Sequence, residues 1–119
     1  MAMTPEGKVK KKVAAILKRH NVYHFFPAAN GYGRAGIPDI ICCWHGAFVA
    51  IECKAGGGRT TALQDREIAQ IIGAGGHAFV VNEDALDALA SFLNKHAPSS
   101  TVGADAVISP DAIPLGAVP

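Results

Sequence analysis

The stretch Phe48-Val49-Ala50-Ile51-Glu52-Cys53-Lys54 has the composition of a buried strand, yet an acid and a lysine stand at its end. Side chains alternate along a strand, so Glu52 and Lys54 share a face with Phe48 and Ala50, while Val49, Ile51 and Cys53 share the other. The run before it, Ile40-Ile41-Cys42-Cys43, is equally apolar and is headed by Asp39 after Gly36-Ile37-Pro38. His45-Gly46 between the two runs reads as a turn, and a hairpin there brings Asp39 close to Glu52. Two facing carboxylates repel each other. A divalent cation that prefers oxygen ligands relieves the repulsion, and the lysine supplies positive charge to a reacting phosphate.

The remaining elements fall around this hairpin. Thr4 and Pro5 suit the cap and first position of a helix, and Val9, Val13, Ile16 and Leu17 recur at helical spacing up to His20-Asn21. Glu6 lies in line with that apolar stripe, where it either favours the helix dipole or points along the core toward the sheet. Val22 to Phe26 reads as a strand. Ala28 to Gly36, with Asn30-Gly31 and Gly33-Arg34, reads as a flexible turn whose backbone and Arg34 can approach a nucleic-acid backbone, against the alternative of an ordinary connection. Trp44 and His45 are placed at the hairpin tip, where exposure to solvent, contact with a partner and packing into the core are all open. Gly56-Gly57-Gly58-Arg59 is expected to hold no shape until DNA binds, and it lacks the ending of a phosphate-binding Walker loop.

Thr61-x-x-Gln64 fits a capping box, followed by a helix that buries Leu63, Ile68, Ile71 and Ile72 and stops at the glycines of positions 73, 75 and 76. His77 to Val81 is an apolar strand, parallel to the Glu52 strand because a crossover helix joins them. Asn82 is expected to cap a last helix with Leu86, Leu89, Ala90 and Leu93 inward. The order α-β-β-β-α-β-α predicts an α/β fold with a mixed sheet.

Pro38-Asp39 followed by Glu52-Cys53-Lys54 resembles the motif of the PD-(D/E)XK nuclease superfamily. With Gly36-Ile37 before it, Thr61-x-x-Gln64 in the next helix and Glu6 in the first, the chain from Thr4 to Ala97 resembles a stand-alone VRR-NUC (virus-type replication-repair nuclease) domain. The resemblance implies a single PD-(D/E)XK restriction-endonuclease-like domain, its mixed sheet flanked by helices. It further implies a metal-dependent DNA endonuclease in which Glu6, Asp39, Glu52 and the backbone carbonyl of Cys53 hold Mg²⁺ or Mn²⁺. Asp39, Glu52 and Lys54 would be catalytic, Lys54 orienting or activating the attacking water, with Gln64 beside them and a 5′-phosphate left on the product. Branched DNA such as a four-way junction is the implied substrate, a homodimer the implied state, and the cytoplasm of a bacterium or phage-infected host the implied location. A nuclease fold that grips DNA or a replication protein without cutting is the alternative.

Charge and cysteines fit this picture. The formal net charge is only +1, but Lys8, Lys10, Lys11, Lys12, Lys18 and Arg19 crowd the first helix, so a near-neutral total conceals a basic face. Next to a nuclease-like site, Lys8, Lys11, Lys12, Arg34 and Arg59 are the expected DNA contacts. Cys42, Cys43 and Cys53 show no C-x-x-C spacing and read as buried core thiols, not as a zinc site. Residues 98–119, rich in Ala, Pro, Ser and Gly, are expected to be a mobile tail outside the domain of residues 1–97, and no signal peptide or membrane span is visible.

Overall fold

In the computed structural model, residues 3–28 and 33–97 are described. The tail expected at 98–119 and the Asn30-Gly31 part of the turn lie outside them. Seven elements follow in the predicted order: α1 (Pro5–Arg19), β1 (Tyr23–Phe25), β2 (Ile40–Trp44), β3 (Ala47–Cys53), α2 (Ala62–Gly73), β4 (His77–Val81) and α3 (Leu86–Lys95). The sheet runs β1-β2-β3-β4, antiparallel across the first two pairs and parallel across the last.

Local chemistry explains where the elements begin and end. The Thr4 hydroxyl accepts from the Gly7 N–H at 3.0 Å, and Pro5 opens the helix. At its far end Asn21 takes a left-handed conformation (φ 59°), and the Val22 N–H returns to the Leu17 carbonyl at 2.9 Å, a bond that satisfies an orphan carbonyl and turns the chain into β1. His45 and Gly46 both have positive φ, 49° and 84°, which matches the right-handed twist of the strands they join. The capping box at Thr61 and Gln64 is complete.

One sheet face carries the core. Ile40, Cys42, Trp44, Val49, Ile51, Cys53 and Val81 pack with Val9, Val13 and Leu17 of α1 and Leu89 and Leu93 of α3. The opposite face bears Tyr23 and Phe25 of β1, Cys43 of β2, and Phe48 and Glu52 of β3, in register across the strands.

Of the alternatives left open for Trp44, packing holds: it is buried and its Nε1 donates to the Leu93 carbonyl at 3.1 Å, because alternation places it with Ile40 and Cys42. Three expectations need correction. Cys43 is exposed, because two adjacent cysteines on a strand must face opposite ways. In α2 the buried residue is Glu67, while Leu63 and Ile72 are exposed. Asn82 does not cap α3; its side chain accepts from the Asp84 N–H at 2.9 Å, holding a turn before the helix begins at Leu86.

Candidate active site

Three elements each deliver one carboxylate to a single point. Glu6 comes from the first turn of α1, Asp39 from the residue before β2, and Glu52 from the last turn of the pleat in β3. One oxygen of each lies within 4.8 Å of the others. Glu52 is buried although it is an acid, because it faces the sheet surface that α2 begins to cover.

Each of the two strand carboxylates has one oxygen held by the protein. Asp39 Oδ2 accepts from the Cys53 N–H at 2.9 Å, while its Oδ1 stands 3.6 Å from Lys10 Nζ. Glu52 Oε2 accepts from Gln64 Nε2 at 3.1 Å and lies 3.4 Å from Lys54 Nζ. Glu52 Oε1, by contrast, is buried with no hydrogen-bond partner among the described residues. A buried, unpartnered carboxylate oxygen is costly. Because Glu52 belongs to a cluster of three carboxylates, a cation is the group that would satisfy it.

Electrostatics agree. Burial, then the negative charge of Asp39, push the Glu52 carboxyl up to about 7, against a smaller opposing pull from Lys54. A divalent ion would reverse that balance. The residues present therefore fit a hard, oxygen-seeking cation. The Cys53 thiol, on the core side of the same strand, is raised to about 12 by burial and is inert.

The structure also shows what holds the site from behind. Gly36 has φ +89°, and a Cβ there would lie 2.5 Å from the Leu63 carbonyl oxygen of α2. The turn before Asp39 thus rests on the start of the helix that carries Gln64. Two residues later in that turn comes the peptide leading into Pro38, which is itself buried.

Among the expected DNA contacts, Lys8, Lys11 and Lys12 are exposed along α1. Arg34 is exposed, but its Nε donates to Glu67 Oε2 at 2.8 Å. Arg59 is exposed beside the glycine turn, which is not shapeless: the Gly58 N–H bonds the Ala55 carbonyl at 3.0 Å, and the Gly56 N–H bonds Glu83 Oε1 at 2.7 Å. Two residues were missed as members of the site: Lys10, read only as part of the basic cluster of the first helix, and Glu67. Both were visible in principle, since Lys10 is four residues from Glu6 and Glu67 three from Gln64, each on the site-facing side of its helix.

No family model matches the chain, and no curated protein matches it. A solved VRR_NUC domain, 22% identical, aligns with 75% of this chain and 97% of its own length at a TM-score of 0.64. The chain has the VRR_NUC fold. Within that VRR_NUC fold the acid, acid and lysine of the hairpin are all present and brought together, and among the described residues no helix is long and apolar enough to cross a membrane.

Proposed function

We propose that the chain is a divalent-metal-dependent DNA endonuclease that hydrolyses phosphodiester bonds in branched DNA. The observation that carries this reading is the convergence of Glu6, Asp39 and Glu52, with Glu52 Oε1 buried and unpartnered beside Lys54. Glu6, Asp39, Glu52 and the Cys53 carbonyl would hold Mg²⁺ or Mn²⁺. Such an ion, when bound, lowers the pKa of a water and offsets charge on the phosphate.

The chain's own groups account for the rest. Gln64 fixes the Glu52 carboxylate through Oε2 and so aims Oε1 inward, and the Cys53 N–H fixes Asp39 through Oδ2 in the same manner. Lys54 Nζ carries donors that can orient the attacking water or meet a phosphate oxygen while Glu52 restrains the side chain. Lys10, on the other side of Asp39, adds positive charge where the nucleic-acid backbone must approach. Lys8, Lys11, Lys12, Arg34 and Arg59 extend that charge outward.

A domain this small presents one site, and two copies related by a two-fold axis would match the near two-fold symmetry of a four-way junction. Purified protein incubated with linear duplex, flap, splayed and four-way DNA in Mg²⁺, Mn²⁺ or EDTA tests the reading. Cleavage of branched substrates in either metal and none in EDTA is expected; cleavage that survives EDTA, or none in any metal, would overturn it. Sedimentation at micromolar concentration tests the pairing, for which a mass near twice the monomer is expected.

A further inference from the structure

A cleft of about 830 Å³ adjoins the carboxylate cluster, sharing Asp39 with it as a lining residue. Its walls differ from the rest of the site. Phe25 and Phe48 project from the sheet face opposite the core, 47% and 46% exposed, and Arg34 and Lys10 stand on the rim. The volume falls in the range of ligand clefts, and the cleft is open to solvent along one side.

Arg34 is not an ordinary surface cation. Its partner Glu67 is 5% exposed, and an ionised side chain is kept in such a place only when paired. The pair engages Arg34 through Nε, and among the described residues neither terminal nitrogen has a hydrogen-bond partner, so both can meet an acceptor in the cleft. Arg34 and Phe48 also line the adjoining cleft along α2, toward Gln70 and Gly76. A path with an aromatic floor and a cationic rim thus leads away from the catalytic carboxylates.

We infer that this path binds unpaired nucleotides next to the cut, with bases stacked on Phe25 and Phe48 and phosphates held by Arg34 and Lys10. The inference rests on the nuclease reading and names the feature of branched DNA that the site reads. Paired bases in a duplex offer no open face to a ring, whereas unpaired bases do, and aromatic floors with basic rims are the general solution for single strands. Glu67 is then a positioning residue, acting through Arg34.

The test uses the full chain carrying Glu52→Gln, so that nothing is cut, and measures anisotropy of labelled oligothymidylate against a strand of equal length with its bases removed, both in EDTA. The intact strand should bind roughly 10-fold more tightly or better, the range expected of one or two stacked bases. Adding Phe25→Leu or Phe48→Leu should shrink that preference while leaving the salt dependence unchanged. Glu67→Gln should weaken both strands alike, and so should Arg34→Gln. The exposed Cys43 thiol, in register with Phe48 across β2, should be protected from alkylation by the intact strand and not by the abasic one.

Equal affinity for the two strands would overturn the inference, as would a preference that survives both phenylalanine changes. A two-copy particle that Phe25→Leu or Phe48→Leu converts to one copy would also overturn it, since the face would then belong to a second chain. Cleavage of a flapped duplex by the unaltered protein in Mg²⁺, measured in parallel, keeps the two readings separate: cutting without base preference removes only this one.

Discussion

Replacing Glu52 by glutamine should destroy the site and strengthen the fold, by an amount that depends on pH. The Glu52 carboxyl is raised from 4.5 to about 7, first by burial and second by Asp39. An acid whose folded-state pKa lies above its unfolded value favours the folded state fully below pH 4.5, and that favour is lost as pH rises to about 7. At about 1.4 kcal/mol per pKa unit, ionisation of this one group costs on the order of 1 kcal/mol at pH 5 and about 3 kcal/mol at pH 8. Glutamine copies the shape of the neutral acid and carries none of this dependence. In a domain of this size 1 kcal/mol moves the melting temperature by roughly 4–8 °C. Thermal unfolding in EDTA should therefore show Glu52→Gln a few degrees above the unaltered protein at pH 5 and about 10 °C or more above it at pH 8. Adding Mg²⁺ at pH 8 should raise only the unaltered protein. A gap independent of pH, or a variant less stable at pH 8, would refute the reasoning that Glu52 is held at an energetic cost for a cation.

Three further outcomes are expected. Asp39→Asn and Lys54→Ala should each abolish cleavage on a denaturing gel with circular dichroism unchanged, and Asp39→Asn should still bind DNA in Ca²⁺, because it removes a charge that repels phosphate. Replacing Lys8, Lys11 and Lys12 together by glutamine should flatten the plot of log affinity against log salt by up to roughly 2–3 units, and an unchanged slope would leave them as a solvated helix face. Gly36→Ala should lower the unfolding free energy measured in urea by on the order of 1–3 kcal/mol, since its Cβ would meet the Leu63 carbonyl at 2.5 Å in a left-handed backbone; a urea midpoint equal to that of the unaltered protein would show that the turn can move without cost.

Alternation along β2 and β3 made the hairpin, its turn and the meeting of Asp39 with Glu52 readable from residue order alone, because a period of two assigns every side chain to a face. The same rule applied strictly would have placed Trp44 inward and Cys43 outward. Helix α2 was misread for a different reason: Leu63, Ile68, Ile71 and Ile72 recur at helical spacing, but the helix meets the sheet over β4 and the turn at Gly36, and the inner position falls to Glu67. Periodicity reports which residues share a face, not how much protein lies opposite it. The partners of Arg34 and Asp39 were hidden because both pairs join elements distant in sequence.

Strand β3 lies between an antiparallel and a parallel neighbour, and it alternates a core residue with a charged one at its end. A slip of one residue would turn Glu52 and Lys54 into the layer of Val13 and Leu17 and carry Ile51 and Cys53 onto the face where Asp39 and Gln64 now meet Glu52. Misaligned hairpins are thus penalised twice, by an ion pair forced into hydrocarbon and by polar groups on the other face left without their partners. The charges that would cut DNA also make the sheet intolerant of any other alignment, so that a chain able to assemble its core has, by the same step, assembled its reactive groups.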